Sequence, residues 1–247
     1  MCIRDRLHDV EKRSTTVHEL DGSITSKGHA KKGEYTARTL LFKTIPTPFV
    51  IREAVAKLVR YHGFPVWVFD KPNPQKALLQ LSLEVNTEHL AMLAKADMLG
   101  RICQDQEEML YKVKLFEEFC KEQDCWGVPK EFGSDLGKYQ FFQKEEYSPD
   151  HVPFEKDTFE VIMISALPGT GKDFFIKKNY KNVPIVSLDD IRRALKISPR
   201  DKKRNGQVVQ MAKEQARIHL RKKETFIWNA TNISKNIRSK LLSLILI

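Results

Sequence analysis

Phe159-Glu160-Val161-Ile162-Met163-Ile164-Ser165-Ala166-Leu167-Pro168-Gly169-Thr170-Gly171-Lys172-Asp173 decides the fold class of the chain's last third. Its opening, Phe159 to Ser165, is a short β-branched apolar run of the kind that forms a buried strand. A glycine turn and a helix follow. Gly169 and Gly171 permit backbone conformations in which successive N–H groups turn inward on a phosphate, and the next helix adds its positive N-terminal end. Lys172 supplies a mobile ammonium for β- and γ-phosphates. Pro168, Gly169, Thr170, Gly171, Lys172 and Asp173 are therefore the candidate ATP-binding loop. Two positions depart from G-x-x-x-x-G-K-[ST]. Ala166 replaces the first glycine, a mild change. Asp173 replaces the hydroxyl residue that normally holds Mg²⁺; a carboxylate can ligate Mg²⁺ itself, but it also adds negative charge beside a triphosphate. An ordinary glycine-rich turn is the competing reading. Lys172 and the strand-before, helix-after context favour phosphate.

Downstream, the pattern predicts a strand at Val183 to Ser187, a helix near Asp189 to Leu195, a long helix from Asn205 to Lys223 and a strand at Phe226 to Asn229. Strands alternating with helices imply a parallel α/β sheet. Upstream the grammar differs. Gly28 to Phe42, Pro48 to Tyr61, Asn86 to Arg101 and Gln104 to Glu122 carry apolar residues at three- and four-residue spacing, and Asn86 is placed to cap its helix. Asp124 to Phe142 reads as irregular, and Glu145 to Pro153 as a polar, proline-flanked linker. The expected class is α + α/β: an all-helical domain over 7–145, a linker over 146–157, and an α/β domain with an incomplete parallel sheet over 158–241.

The 247 residues are 41% hydrophobic and 30% charged, which excludes disorder throughout. No apolar run approaches a membrane span, and no secretory leader is visible. Cys2, Cys103, Cys120 and Cys125 show no paired spacing, so reduced thiols in a cytoplasm are expected. Met1-Cys2-Ile3-Arg4-Asp5-Arg6 resembles a translated sequencing adapter, and Leu242 to Ile247 resembles its complement. Both are read as assembly scars, with sequence expected to be missing on each side. Of the chain's net charge of +10, Lys172 to Lys240 holds 19 basic and 6 acidic residues, against 23 and 26 elsewhere. That asymmetry favours a polyanionic partner for the last third.

With the loop, Val186-Ser187-Leu188-Asp189-Asp190-Ile191-Arg192 and Trp228-Asn229-Ala230-Thr231-Asn232, the last third resembles the polynucleotide 5′-kinases of phage and bacterial RNA-repair systems. The resemblance implies ATP and Mg²⁺ as cofactors, Asp189 as general base on a 5′-hydroxyl, and Arg192 as anchor for the substrate phosphate, with Lys172 beside the transferring group. Ser187-x-x-Asp190 also fits a helix cap, the preferred role for Asp190. Thr231 and Asn232 would reach towards substrate or cap the next helix. The family's arginine-bearing lid would begin beyond Arg238, so kinase activity of the chain as it stands is expected to be impaired. Lys177, Lys178, Lys181, Arg200, Lys202, Lys203, Arg204, Arg217, Arg221, Lys222 and Lys223 fit an electrostatic track for a nucleic-acid backbone, and equally a solvated helix face.

His8-Asp9, His29, His62 and Asp97, in that order within a helical segment, resemble the HD superfamily of metal-dependent phosphohydrolases over roughly Leu7 to Phe142. The resemblance implies that His8, Asp9 and Asp97 ligate a divalent metal (Mn, Fe, Ni, Zn or Mg), with an earlier histidine upstream of Leu7. It places His29 and His62 on the substrate phosphate or a second metal, and Lys12 on phosphate. Glu11 stands where the family often has glycine. Such a metal acidifies a water for attack on phosphorus. His18, His89, His151 and His219 fall outside the pattern, and Cys120 and Cys125 read as structural.

Together the two resemblances imply a cytoplasmic nucleic-acid end-processing enzyme. One domain would remove a 2′,3′-cyclic or 3′-phosphate and the other would add a 5′-phosphate, with RNA ends as partner, an RNA ligase as the following step and no membrane. The alternatives are a small-molecule or nucleotide kinase joined to a nucleotidase, and a non-catalytic ATP-responsive module.

Overall fold

The computed structural model describes residues 7–101, 104–144, 146–154 and 159–245. Met1 to Arg6, the first expected scar, lie outside the described residues, as do Cys103 and the last two residues of the second scar. The chain divides into two compact units, Met1–Pro153 and Phe154–Ile247. No helix among the described residues is long and apolar enough to cross a membrane.

The first unit is built from α1 (Lys12–Thr15), a hairpin of β1 (Val17–His18) and β2 (Ile24–Thr25), then α2 (His29–Lys43), α3 (Phe49–Tyr61), α4 (Phe64–Trp67), α5 (Pro74–Ser82), α6 (Thr87–Leu99), α7 (Gln106–Glu122) and α8 (Asp135–Gln143). The all-helical expectation is thus corrected by one two-residue antiparallel pair, Val17 opposite Thr25. Gly22 turns it at φ 81, and the Asp21 carboxylate accepts from the Ser23 N–H at 2.9 Å. Helix α8 corrects the irregular reading of 124–142. Its glycines obscured the pattern, yet Ser134 caps it by accepting from the Gly137 N–H. Asn73 caps α5 in the same way with Pro74 following, and Asn86 caps α6 through the His89 N–H.

Leu78, Leu79, Leu90, Phe116 and Phe141 form the centre of one core. Ala37, Leu41, Val55 and Val59 form a second between α2 and α3. Burying each large side chain contributes about 1.5–3 kcal/mol. The stretch before Phe154 is laid on this unit rather than held away from it. Lys130 reaches Asp150 at 3.3 Å, and a Cβ on Gly137 would meet the His151 carbonyl oxygen at 2.3 Å.

The second unit runs β3 (Val161–Ile164), α9 (Lys172–Asn179), β4 (Ile185–Ser187), α10 (Leu188–Ala194), α11 (Lys202–Arg221), β5 (Phe226–Asn229) and α12 (Lys235–Ile245). All three strands are parallel, in the order β3-β5-β4. The last strand in sequence is therefore the central one, and every residue of β5 is buried. Val208, Ala212 and Ala216 of α11 pack with Phe226 and Trp228. Ile164 and Ser187 both pair with Asn229, so the strands end together at the carboxyl edge, where parallel sheets bind ligands.

Candidate functional site

Four elements of the first unit converge on Asp9. His8 and Asp9 precede α1, His29 opens α2, His62 follows α3, and Asp97 lies in the last turn of α6. His8 Nε2 lies 3.1 Å from Asp9 Oδ2 and 3.4 Å from Asp97 Oδ1. Asp9 Oδ1 lies 3.5 Å from His29 Nε2 and 3.7 Å from His62 Nε2. Lys12 Nζ closes on Asp9 Oδ2 at 2.6 Å, and Arg101 pairs with Asp97. His8, Asp9, Lys12, His29, His62 and Asp97 are thus brought together, while the earlier histidine expected upstream of Leu7 lies outside the described residues.

The hydrogen bonds determine what the cluster can hold. His29 Nδ1 lies 2.7 Å from the Ser26 carbonyl and His62 Nδ1 lies 2.8 Å from the Val59 carbonyl. Carbonyls only accept, so both Nδ1 atoms carry hydrogen, and a ring held this way, where it carries no second proton, presents a lone pair at Nε2. Those two Nε2 atoms are 3.2 Å apart. Lone pairs that close repel unless a cation, proton or metal, lies between or beside them. Asp9 Oδ1, turned to the same place, is buried without a hydrogen-bond partner. Two sets of donor atoms, His8/Asp9/Asp97 and Asp9/His29/His62, each lie within 4.8 Å of one another. Imidazole with carboxylate suits Mn, Fe, Ni or Zn, so the donor set fits a divalent transition metal.

The carboxylates of this cluster are shifted downwards against their burial. Burial works to raise the Asp9 carboxyl, but hydrogen bonds from His8 and Lys12 prevail and hold it well below the usual range. Asp97 is lowered against burial by His8 and Arg101. Burial pushes the His62 imidazole down, keeping it neutral. Glu11 accepts from Ser14 and Thr36 and meets Lys32 at 2.9 Å, contacts that hold it at about 2. It ties α1 to α2, which accounts for a charged residue where the resemblance has glycine. A cavity of about 430 Å³ opens beside His29 and His62 and is bordered by Arg60, Lys71 and Trp67. A second, of about 380 Å³, opens beside His8, Asp9, Asp97 and Arg101.

At the carboxyl edge of the parallel sheet, Gly169 and Gly171 adopt φ of 77 and 86, the left-handed region that favours glycine. No hydrogen bond among the described residues uses the N–H of Gly169, Thr170 or Gly171. Thr170 Oγ1 donates to the Leu167 carbonyl at 2.7 Å, and Lys172 Nζ folds back on the same oxygen at 3.2 Å. Asp173 accepts from Asn229 Nδ2 at 2.7 Å. A cavity of about 380 Å³ beside them is lined by Asp173, Lys177, Asp190, Arg193 and Asn229, with Ile176 and Ile185.

Residues 161–246 match the family model of an AAA domain. The second unit therefore carries a P-loop kinase-like nucleotide-binding domain, whose members use a nucleotide with Mg²⁺. No curated protein and no solved structure matches the chain. Within the AAA domain, Ser187 caps α10 by accepting from the Asp190 N–H at 3.2 Å. The Asp190 carboxylate is nonetheless paired with Arg193 at the cavity. Asp189 is exposed and pairs with Arg192, whose Nε donates to Asn205 at 2.9 Å; neither residue lines that cavity. Thr231 is exposed, and its carbonyl accepts from the Ala166 N–H at 3.1 Å.

For Asn232 the sequence left two roles open, reaching substrate or capping the next helix, and the structure shows a third contact. Asn232 is 2% exposed, and its Nδ2 donates to the Ile164 carbonyl at 2.7 Å, securing the end of β3. Asn229, Asp190 and Arg193 are the polar residues of this site that sequence reasoning missed. The signal for Asn229 was its place at the carboxyl end of a buried strand.

Proposed function

We propose that the chain joins an ATP-dependent 5′-hydroxyl polynucleotide kinase to an HD-type metal-dependent phosphohydrolase, acting on nucleic-acid ends. The observation that carries the second half is the pair of imidazole Nε2 atoms 3.2 Å apart beside a buried carboxylate oxygen without a hydrogen-bond partner. His8, Asp9 and Asp97 would hold the metal. When bound, it supplies an acidified water and neutralises phosphoryl charge. Lys12 is positioned to hold a phosphoryl oxygen, His29 and His62 with Nε2 lone pairs suit a second metal, and Arg60, Lys71 and Trp67 beside the larger cavity suit an anionic, aromatic substrate such as a nucleotide end.

For the kinase half, the AAA domain match and the loop geometry support phosphate binding. In the proposed reaction the 5′-oxygen bonds to the γ-phosphorus as the bond to the β-bridging oxygen breaks. The hydroxyl proton passes to the Asp189 carboxylate, and Lys172 and Arg192 hold phosphate oxygens. The excess of basic side chains in this unit supports a polyanionic substrate.

The test uses protein expressed from the source locus, given labelled ATP and 5′-hydroxyl RNA, and separately RNA ending in a 2′,3′-cyclic or 3′-phosphate with Mn²⁺. Expected results are label transfer that Asp189→Asn abolishes, and opening of the cyclic phosphate to a monoester or release of phosphate from the 3′-phosphate, which Asp9→Asn abolishes without affecting label transfer. Free nucleosides that outcompete the oligonucleotide would replace this reading with a small-molecule kinase. No ATP turnover and no phosphate release would leave a binding module.

A further inference from the structure

P-loop domains ordinarily hold Mg²⁺ between the hydroxyl of a loop Ser or Thr and the carboxylate of an Asp at a strand end. This chain carries neither group in that arrangement. The loop position holds a carboxylate, Asp173. The residue in contact with it, at the end of the central strand β5, is the amide Asn229. The contact is direct, with Asn229 Nδ2 2.7 Å from Asp173 Oδ1. The orientation of the amide follows from chemistry, because an ionised carboxylate only accepts and the group facing it must be the NH₂. Asn229 is 8% exposed, its Oδ1 is buried without a hydrogen-bond partner, and with Asp173 it lines the cavity at the carboxyl edge of the sheet.

Resting on the reading of this unit as a nucleotide-binding P-loop domain, we propose that Asp173 and Asn229 form an exchanged Mg²⁺ site. The single carboxylate has moved from the strand to the loop, and the strand residue has become a neutral amide that orients it. The exchange keeps one carboxylate at this loop–strand contact, where a retained strand carboxylate facing Asp173 would place two within hydrogen-bonding distance; Asp190, which also lines the cavity, is paired with Arg193. Asn229 acts as a positioning residue. Its Nδ2 fixes Asp173 Oδ1, leaving Oδ2 for the cation, and its Oδ1 is available to a cation-bound water. Octahedral Mg²⁺ keeps several waters and takes one or two carboxylates, so one protein carboxylate with an amide behind it is a sufficient donor set.

The test measures binding, not turnover. Mn²⁺ affinity in the presence of ADP is read by electron paramagnetic resonance, and ADP affinity with Mg²⁺ or with EDTA by calorimetry, on the full chain. In the wild type, Mg²⁺ tightens ADP about tenfold, and Asp173→Asn, an isosteric change at an exposed residue, reduces that factor to about one. Asn229→Leu lowers Mn²⁺ affinity about tenfold, the scale on which loss of a ligand-orienting residue acts. It leaves ADP affinity in EDTA unchanged, which a merely unfolding variant would not do. The double variant Asp173→Ser with Asn229→Asp, which recreates the ordinary arrangement, recovers Mn²⁺ affinity to within about threefold of wild type. Metal-tightened ADP binding that survives Asp173→Asn, or a double variant no better than Asp173→Ser alone, overturns the exchange. Absence of ADP binding to the wild type in both metal and EDTA instead removes the P-loop reading on which it rests.

Discussion

The close approach of His29 and His62 beside Asp9 makes a quantitative prediction for the first unit. Bound to a divalent transition metal, those Nε2 atoms at 3.2 Å and the buried Asp9 oxygen would exchange a shared proton for a shared metal cation. Unfolding disperses the donors, because they come from four elements between His8 and Asp97. Binding free energy therefore adds to stability by mass action, RT ln(1 + [L]/Kd). At about 1 mM Mn²⁺ or Ni²⁺ and a dissociation constant of about 10 µM, the gain is about 2.7 kcal/mol. For a unit of this size each kcal/mol moves the midpoint by about 2–4 °C, so the shift is about 5–10 °C. The assay is calorimetric melting of the protein in EDTA and in metal. Ca²⁺ serves as a hard-cation control that imidazole nitrogen ligates poorly. Asp9→Asn weakens both donor sets at once and is expected to remove most of the shift. His62→Ala removes one donor and leaves the His8/Asp9/Asp97 set, so part of the shift remains. A wild-type shift below about 1 °C, on a scale where one kcal/mol would give several, refutes the cation argument. So does a shift that Asp9→Asn leaves intact.

Asn232→Ala is expected to destabilise the protein by about 2–3 kcal/mol, because the Ile164 carbonyl loses its donor and a φ of 43 is retained without asparagine's tolerance for it. Chemical denaturation checks this, and an unchanged midpoint with lost RNA binding would restore the substrate-contact expectation. Gly171→Ala adds a methyl that meets nothing within 4 Å, so its cost is the φ of 86 alone, about 1–2 kcal/mol. The loop relaxes in the free protein and the cost falls on binding, so calorimetry should show nucleotide affinity about tenfold weaker; unchanged affinity would mean the left-handed turn is dispensable. Burial would raise the Glu53 carboxyl, but Arg52 and Arg38 hold it below the ordinary range. A depressed folded-state value contributes stability that is present above the unfolded value and lost as pH falls through the folded one. Glu53→Gln should therefore flatten the acid limb of a melting-point titration, and an unaltered limb counts against the pairing.

The sequence made some of this legible for definite reasons. His8-Asp9, His29, His62 and Asp97 could be grouped because they are few, chemically distinct and set on helices whose periodicity is clear, and the fold brings those residues to one place. The strands bordering the glycine loop were legible from β-branched runs, although β4 spans only Ile185–Ser187. The contact between Asp173 and Asn229 was not legible. They are separated by 56 positions, and their meeting depends on β5 entering the sheet between β3 and β4. Alternation of strand and helix does not reveal strand order. Nor could the sequence choose between cap and substrate contact for Asn232, because burial decides the matter and burial belongs to the folded chain. Helix α5 carried its own start signal in Asn73-Pro74, so its omission was a matter of weighting. Helix α8 lacked such clarity, since Gly133 and Gly137 serve close approach of Val152 and His151 rather than a turn.

The two sites share a chemical economy that links them to one class of substrate. At each, a small number of carboxylates is held by fixed donors, Asp9 by His8 and Lys12 and Asp173 by Asn229. Around them stand cations and N–H groups: Arg60, Lys71 and Arg101 in the first unit, and in the second the loop N–H groups with Lys172 and Lys177, beside an Asp190 that is paired with Arg193. Carboxylates so placed are too few to neutralise those groups and too well oriented to serve only as surface charge. They suit the binding of a metal cation beside a phosphoryl anion, where the cation needs one or two hard oxygen donors and the anion needs everything else. A neutral sugar or an apolar ligand would leave both sets of charges uncompensated. On the function proposed above, phosphate esters would be the substrates of each site, and competition by inorganic phosphate or pyrophosphate is a direct measure of how far each arrangement is committed to them.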